Sequence, residues 1–295
     1  MNTLISLLTI CVVVILYIHV VHQLKTSNDL EIFELDTPIQ SRLEEICNLR
    51  QPLLFPYYEE NIAQCSLPRF MEYKAFDVTV YDSSFVPSIV SLNKAFQLIK
   101  KKTYISIHNS DFLQETTLYK QFLATDAYLR PPMVSNIQYD VLFGSDQSTT
   151  RLEYSTYYRN YLYVSDGSIQ VKLAPPRSSK YLHIEKNYTT QEYYSTLHPW
   201  NTSFDKIKFL EVTVTKGQML FIPSYWWYSI QFTNNSCVCT LQYRTVMNLI
   251  ATLPDICMGI LERQNTKTKL KINHFSQSAS SSVSSHTSTA LDELP

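Results

Sequence analysis

The chain opens on an unbroken apolar run. Residues Leu4 to Val21 read LISLLTICVVVILYIHVV and contain no Asp, Glu, Lys or Arg. A helix rising about 1.5 Å per residue would carry this run across about 27 Å, close to the thickness of a bilayer core. Lys25 follows the run rather than preceding it, and no A-x-A-like cleavage site comes after it. The pattern therefore predicts an uncleaved, single-pass transmembrane anchor over 1–24 in contact with the lipid bilayer, rather than a signal removed on export. Lys25 favours a cytosolic side for everything that follows. The Asn-x-Ser/Thr triplets at Asn187, Asn201 and Asn234 would suit a lumenal side, but such triplets arise by chance in a chain rich in Asn and Thr.

Beyond the anchor the pattern changes three times. Residues 25–48 are polar and acidic (NDLEIFELD, then RLEEI) and predict a stalk running into a short helix. Residues 49–262 carry the apolar periodicities of one domain. In its first half, SLNKAFQLIKKK places Leu92, Phe96 and Ile99 on one helical face, with lysines where the helix dipole favours cations. The segment DFLQETTLYKQFLATDAYL reads as another helix, opening at Asp111 as N-cap. The second half is strand-like: NYLYV, IQVKL, FLEVTVT, MLFI and CVCTLQY alternate or are rich in β-branched and aromatic residues. Asp166-Gly167 and Lys216-Gly217 are turn signals, and Pro175-Pro176 closes a strand. The segment VMNLIATLPDICMGILER predicts two short helices at the end of the domain. From 263 to 295 Ser and Thr dominate and a disordered tail is expected.

Composition narrows the function classes. Lys+Arg total 25 against 26 Asp+Glu, so the chain has no bulk charge with which to grip nucleic acid. Six Cys are too few for a disulfide scaffold, and Cys237 and Cys239 share one face of a strand, which suggests packing. With only four Gly there is no G-x-G-x-x-G and no G-x-x-x-x-G-K phosphate loop. No G-x-S-x-G elbow and no H-x-x-x-H or C-x-x-C pair is present. The many tyrosines, 21 in all, are explained by cross-strand packing, although pairs such as Tyr157-Tyr158 and Tyr193-Tyr194 could also line a binding surface.

Two segments resemble a known family. FGSDQSTTRLEYSTYYRNYLYVSDGSIQVKLAPP, followed about forty residues on by KGQMLFIPSYWWYSI, is similar to the cupin-like jumonji C (JmjC) hydroxylases. Arg50-Gln51-Pro52-Leu53 resembles that family's opening strand, so the likeness covers roughly 50–255. Its most specific part is the element carrying Gly217, Pro223, Trp226 and Trp227. Gly144, Gly167 and Gly217 fall on the family's turns, which fits a need for positive φ. The resemblance implies a mainly β fold, a double-stranded β-helix (cupin or jelly roll) with flanking helices, preceded here by the transmembrane helix. It also makes a homodimer through the carboxyl-terminal helices a possibility.

The resemblance further implies Fe(II) held by two His and one carboxylate, with 2-oxoglutarate paired to a Lys or Arg. This sequence departs at each position. The distal His is Tyr228. The H-x-D element is Glu153-Tyr154-Ser155 if one residue is inserted before Asn160, or Tyr154-Ser155-Thr156 without a gap. Ile169 stands at the cosubstrate Lys, and Lys172 faces the other way in a regular strand. A phenol, with its pKa near 10, is a weak ligand for a divalent ion. His183-Ile184-Glu185 is an H-x-E, but it follows Pro175-Pro176, outside the ligand-bearing strand, and reads as a surface histidine. The expectation is a membrane-anchored pseudo-hydroxylase acting as a binding or structural module, with no catalytic residue, no metal and no cofactor. An active Fe(II)/2-oxoglutarate dioxygenase with unusual ligands, and a structural membrane protein of a particle or organelle, are the alternatives.

Overall fold

The computed structural model describes residues 2–265 except 102, 202, 203, 234 and 235. The expected tail and the Asn234 triplet lie outside the described residues, apart from the tail's first three positions. Helix α1 (Asn2–Leu24) is the apolar run, and it is the one helix among the described residues long and apolar enough to cross a membrane.

Two sheets follow. The larger is built from β1 (Phe33–Glu34), β2 (Leu53–Pro56), β3 (Asp77–Tyr81), β4 (Pro87–Ser91), β5 (Ile105–Ser106), β6 (Val134–Gly144), β8 (Arg159–Asp166), β13 (Gln218–Pro223) and β15 (Cys237–Thr245). Its spatial order is β1-β2-β13-β8-β15-β6-β5-β3-β4, antiparallel except for β1 on β2. The smaller has the order β10-β11-β7-β14-β9-β12. Its strands are β7 (Leu152–Tyr154), β9 (Ser168–Ala174), β10 (Ile184–Asn187), β11 (Glu192–Ser195), β12 (Leu210–Thr215) and β14 (Trp227–Phe232). The fold is mainly β, two facing sheets in the double-stranded β-helix arrangement, with helices on the outside.

Strand alternation explains the layering. Leu142, Leu162, Val164, Leu220, Ile222 and Val238 point from the larger sheet into the barrel, where they meet Ile169, Val171, Leu173, Tyr228, Ile230 and Phe232 from the smaller. Their odd-numbered neighbours Val141, Phe143, Tyr161, Tyr163, Met219, Phe221, Cys237 and Cys239 point outward. There they pack under α2 (Gln40–Leu49), α3 (Glu60–Ala63), α4 (Leu67–Phe70), α5 (Leu92–Lys101), α6 (Ser110–Glu115) and α7 (Leu123–Leu129). Both strand cysteines are free thiols in this layer, packing as expected. The adjacent Trp226 and Trp227 divide between faces: Trp226 fills the barrel, and Trp227 lies outside under Leu182 and Ile207, its indole donating to Ser179 Oγ at 2.8 Å. The chain ends in α8 (Val246–Ala251) and α9 (Leu253–Asn265).

Several expectations need correction. Residues 25–48 are more than a stalk, because β1 joins the larger sheet and α2 buries Leu43, Ile46 and Cys47 in its outer layer. The single helix expected from Asp111 is broken: Thr117 takes a left-handed φ of 60°, dividing α6 from a 3-10 turn and α7, and Asn109 rather than Asp111 holds the N-cap position. Gly167 and Gly217 do sit at positive φ (69° and 81°), but Gly144 is required for space. A Cβ there would lie 2.5 Å from Ser148 Oγ and 2.8 Å from the Phe232 ring. Pro175 and Pro176 end β9 as read, and Pro223 ends β13 opposite Arg159.

Candidate functional site

Of the residues that the resemblance puts at the ligand positions, Glu153 and Tyr228 converge. They are directly opposed in the antiparallel β7–β14 pair and so share the inward face. The Tyr228 hydroxyl lies beside the Glu153 carboxyl. Tyr154, one residue on, points outward: it stacks on Tyr193 at 5.0 Å and meets Trp227 edge-on at 4.8 Å. Of these motif residues, Glu153 is the one that reaches the cavity. Ser155 lies past the end of β7, where its carbonyl accepts from Tyr225 N at 2.9 Å and its hydroxyl accepts from Tyr157 N at 3.2 Å, and it does not line the cavity. Ile169 lies in the apolar part of the barrel opposite Phe232. Lys172 points away, with Nζ 3.3 Å from the Pro199 carbonyl and 3.0 Å from Glu211.

The cavity around Glu153 and Tyr228 holds about 50 Å³ and is also lined by His108, Asp140, Thr150, Asn160 and Gln242. Asn160 enters from β8 and accepts from Gln242 Nε2 at 3.3 Å. Its buried Nδ2 faces the Tyr228 hydroxyl without a hydrogen bond of ordinary geometry.

His108 and Asp140 were not anticipated. Asp140 sits mid-strand in β6 on the inward face, and its carboxylate accepts from the backbone N–H groups of His108 (2.8 Å), Asn109 (2.5 Å) and Val141 (2.8 Å). Asn109 Nδ2 then ties the same turn to Ser106 Oγ and the Val141 carbonyl. His108 is thereby held at a left-handed φ of 62°, with its ring Nδ1 2.9 Å from the Tyr81 hydroxyl and 3.6 Å from Glu192 Oε1 at the mouth of the cavity. An acidic residue inside the apolar run YDVLF, on the inward parity of the strand, was the available sequence signal. The left-handed turn carrying His108 leaves none.

The electrostatics are those of a closed polar site. Burial raises the Glu153 carboxyl above its usual range, opposed by the nearby His108 and the Tyr228 hydroxyl. Burial also raises Asp140, opposed by His108 and the backbone donors. Tyr228 is pushed well above a free phenol, by burial first and the adjacent Glu153 second. Among the described residues no group of three or more His, Cys, Asp or Glu has the arrangement to hold a metal ion. His183 is exposed, as expected, and His198 packs 5.9 Å from Phe85.

No curated protein matches the chain. Residues 64–248 match the model of the cupin-like domain, a span that runs from just before α4 into α8 and takes in every strand of both sheets except β1 and β2. The chain belongs to the cupin-like domain family.

Proposed function

We propose that this protein is a membrane-anchored cupin-like module without hydroxylase chemistry of its own, serving to bind or scaffold a partner at the membrane. The observation that carries this reading is the Glu153–Tyr228 pair closing the barrel centre within about 50 Å³. A water molecule occupies about 30 Å³ in the liquid, while pockets for small organic ligands run to roughly 300–1,000 Å³. The centre is scaled for solvent.

The donor set does not fit Fe(II) with 2-oxoglutarate. A ferrous facial triad uses two neutral imidazoles and one carboxylate. Glu153 offers a carboxylate, but burial makes Tyr228 hold its proton more tightly than a free phenol does. The Asp140 oxygens are engaged by three backbone N–H groups, and the imidazole of His108 is directed to Tyr81 and Glu192. At the cosubstrate position Ile169 has no charge to offer a carboxylate.

The test is titration of the full chain in detergent micelles with Fe(II) and 2-oxoglutarate. The expected result is no stoichiometric binding and no 2-oxoglutarate turnover. Stoichiometric Fe(II) with turnover, abolished in Glu153→Ala, would refute the reading and identify the unusual ligand.

A further inference from the structure

Helix α9 is inside out. In a helix lying on a globular domain, the apolar stripe faces the core and the polar stripe faces water. Here Leu253, Met258, Ile260 and Leu261 are 50%, 44%, 52% and 54% exposed, and Cys257 is exposed beside them. The opposite stripe, turned to the protein, carries Asp255, Gly259 and Glu262 around the partly buried Ile256. Asp255 faces the Tyr193 hydroxyl, and Gly259 packs on the Tyr188 carbonyl with no room for a Cβ. Glu262 accepts from Thr189 N and Oγ1, both at 3.1 Å. Val246 and Leu249 of α8 extend the exposed apolar surface, at 38% and 37%.

The position of α1 says what covers this surface. Residues 3–19 are exposed, and partial burial begins only in its last turns, at Val20, Val21 and Gln23. Helix α1 packs against α8. The connection to the domain is short and tied. Arg50 Nη1 donates to the carbonyls of His22 (2.6 Å), Gln23 (3.0 Å) and Lys25, while Ser27 N and Thr26 Oγ1 donate to the Arg50 carbonyl. If α1 spans the bilayer, α8 stands at the level where its hydrocarbon ends, and α9 follows directly from α8.

We infer that the outward faces of α8 and α9 lie in the headgroup–acyl boundary of the membrane that α1 crosses, so that the domain is seated on the lipid surface rather than suspended from it. The occupant is phospholipid: apolar side chains of this kind on an interfacial helix enter the boundary region by about 5–10 Å. The inference rests on α1 being a membrane span.

The test uses the full chain with Cys11→Ser, which leaves Cys257 as the exposed thiol, since Cys47, Cys65, Cys237 and Cys239 are buried. Cys257 is labelled with an environment-sensitive fluorophore, and the protein is reconstituted in phosphatidylcholine vesicles carrying shallow doxyl-labelled lipid. The expected result is several-fold quenching by the doxyl lipid and little by aqueous iodide, with the preference reversed in Ile260→Gln/Leu261→Gln. Iodide quenching without lipid quenching, in protein that resists alkaline carbonate, would overturn the inference while leaving the anchor intact. Protection from both quenchers, with Cys257 cross-linking between copies, would overturn it in favour of a second copy on this face. Release by carbonate would remove the anchor and the inference together.

Discussion

At the scale of single residues the barrel centre is governed by one carboxyl that is poorly placed to ionise. Burial raises Glu153 above its usual range, so the folded chain holds the proton more tightly than the unfolded chain. The stability this contributes is fully present below the unfolded carboxyl value and is lost as pH rises through the folded value. Glu153→Gln keeps the shape and cannot ionise. Thermal melts of the two proteins should coincide near pH 4, and by pH 7.5 the variant should be the more stable, by about 1 kcal/mol or ~3 °C. A constant difference across that range would show that burial does not control this carboxyl. Tyr228→Phe removes the buried hydroxyl beside Glu153 and should cost about 1–3 kcal/mol at neutral pH by chemical denaturation. In the double variant with Glu153→Gln the two effects should fail to add, because the two side chains are directly opposed across the β7–β14 pair. This pair was legible in the sequence because its members stand on motif positions whose strand parity is fixed. Ser155 was misplaced because β7 stops one residue before it.

At the scale of elements, α2 is the short helix expected after the stalk, and what the sequence did not show is how it is buried. Its sequence QSRLEEICNL has a narrow apolar stripe, Leu43, Ile46 and Cys47, among charged residues, and so reads as solvated. Its place is fixed by a partner far along the chain. Arg159 on β8 is 1% exposed and bonds Glu44 through both oxygens, at 2.7 and 2.6 Å. A fork-to-fork pair of this kind cannot be read from either segment alone. Glu44→Ala would leave the buried guanidinium unpaired and should cost about 3 kcal/mol in denaturant unfolding, while Arg159→Met with Glu44→Leu should recover most of the loss. Recovery no better than the single variant would mean that α2 is held by its apolar stripe. The outer helices were misread for a related reason. The apolar rhythm from Asp111 to Leu129 continues across Thr117, whereas the backbone turns left-handed there to wrap the sheet.

At the scale of the whole molecule, α1 and the barrel behave as one body only if the joint between them is stiff, and Arg50 is that joint. It ends α2 at a left-handed φ of 57°, and its guanidinium caps the last carbonyls of α1. Arg50→Gly keeps the backbone conformation at no steric cost while removing the cap. In protein reconstituted into vesicles, trypsin should then cut after Lys25 several-fold faster than in the parent, while the melting of the barrel shifts by less than about 1 kcal/mol. Arg50 is buried at 6% exposure, and faster cleavage together with a large loss of barrel stability would mean that it holds the domain as well as the joint. The reason to expect separation is the division of labour seen along the chain. Barrel stability resides in alternating apolar strands that the sequence announces. The pose of the barrel relative to α1 depends on one guanidinium and on helix α9, whose arrangement emerges only when α1, α2, α8 and α9 are seen side by side.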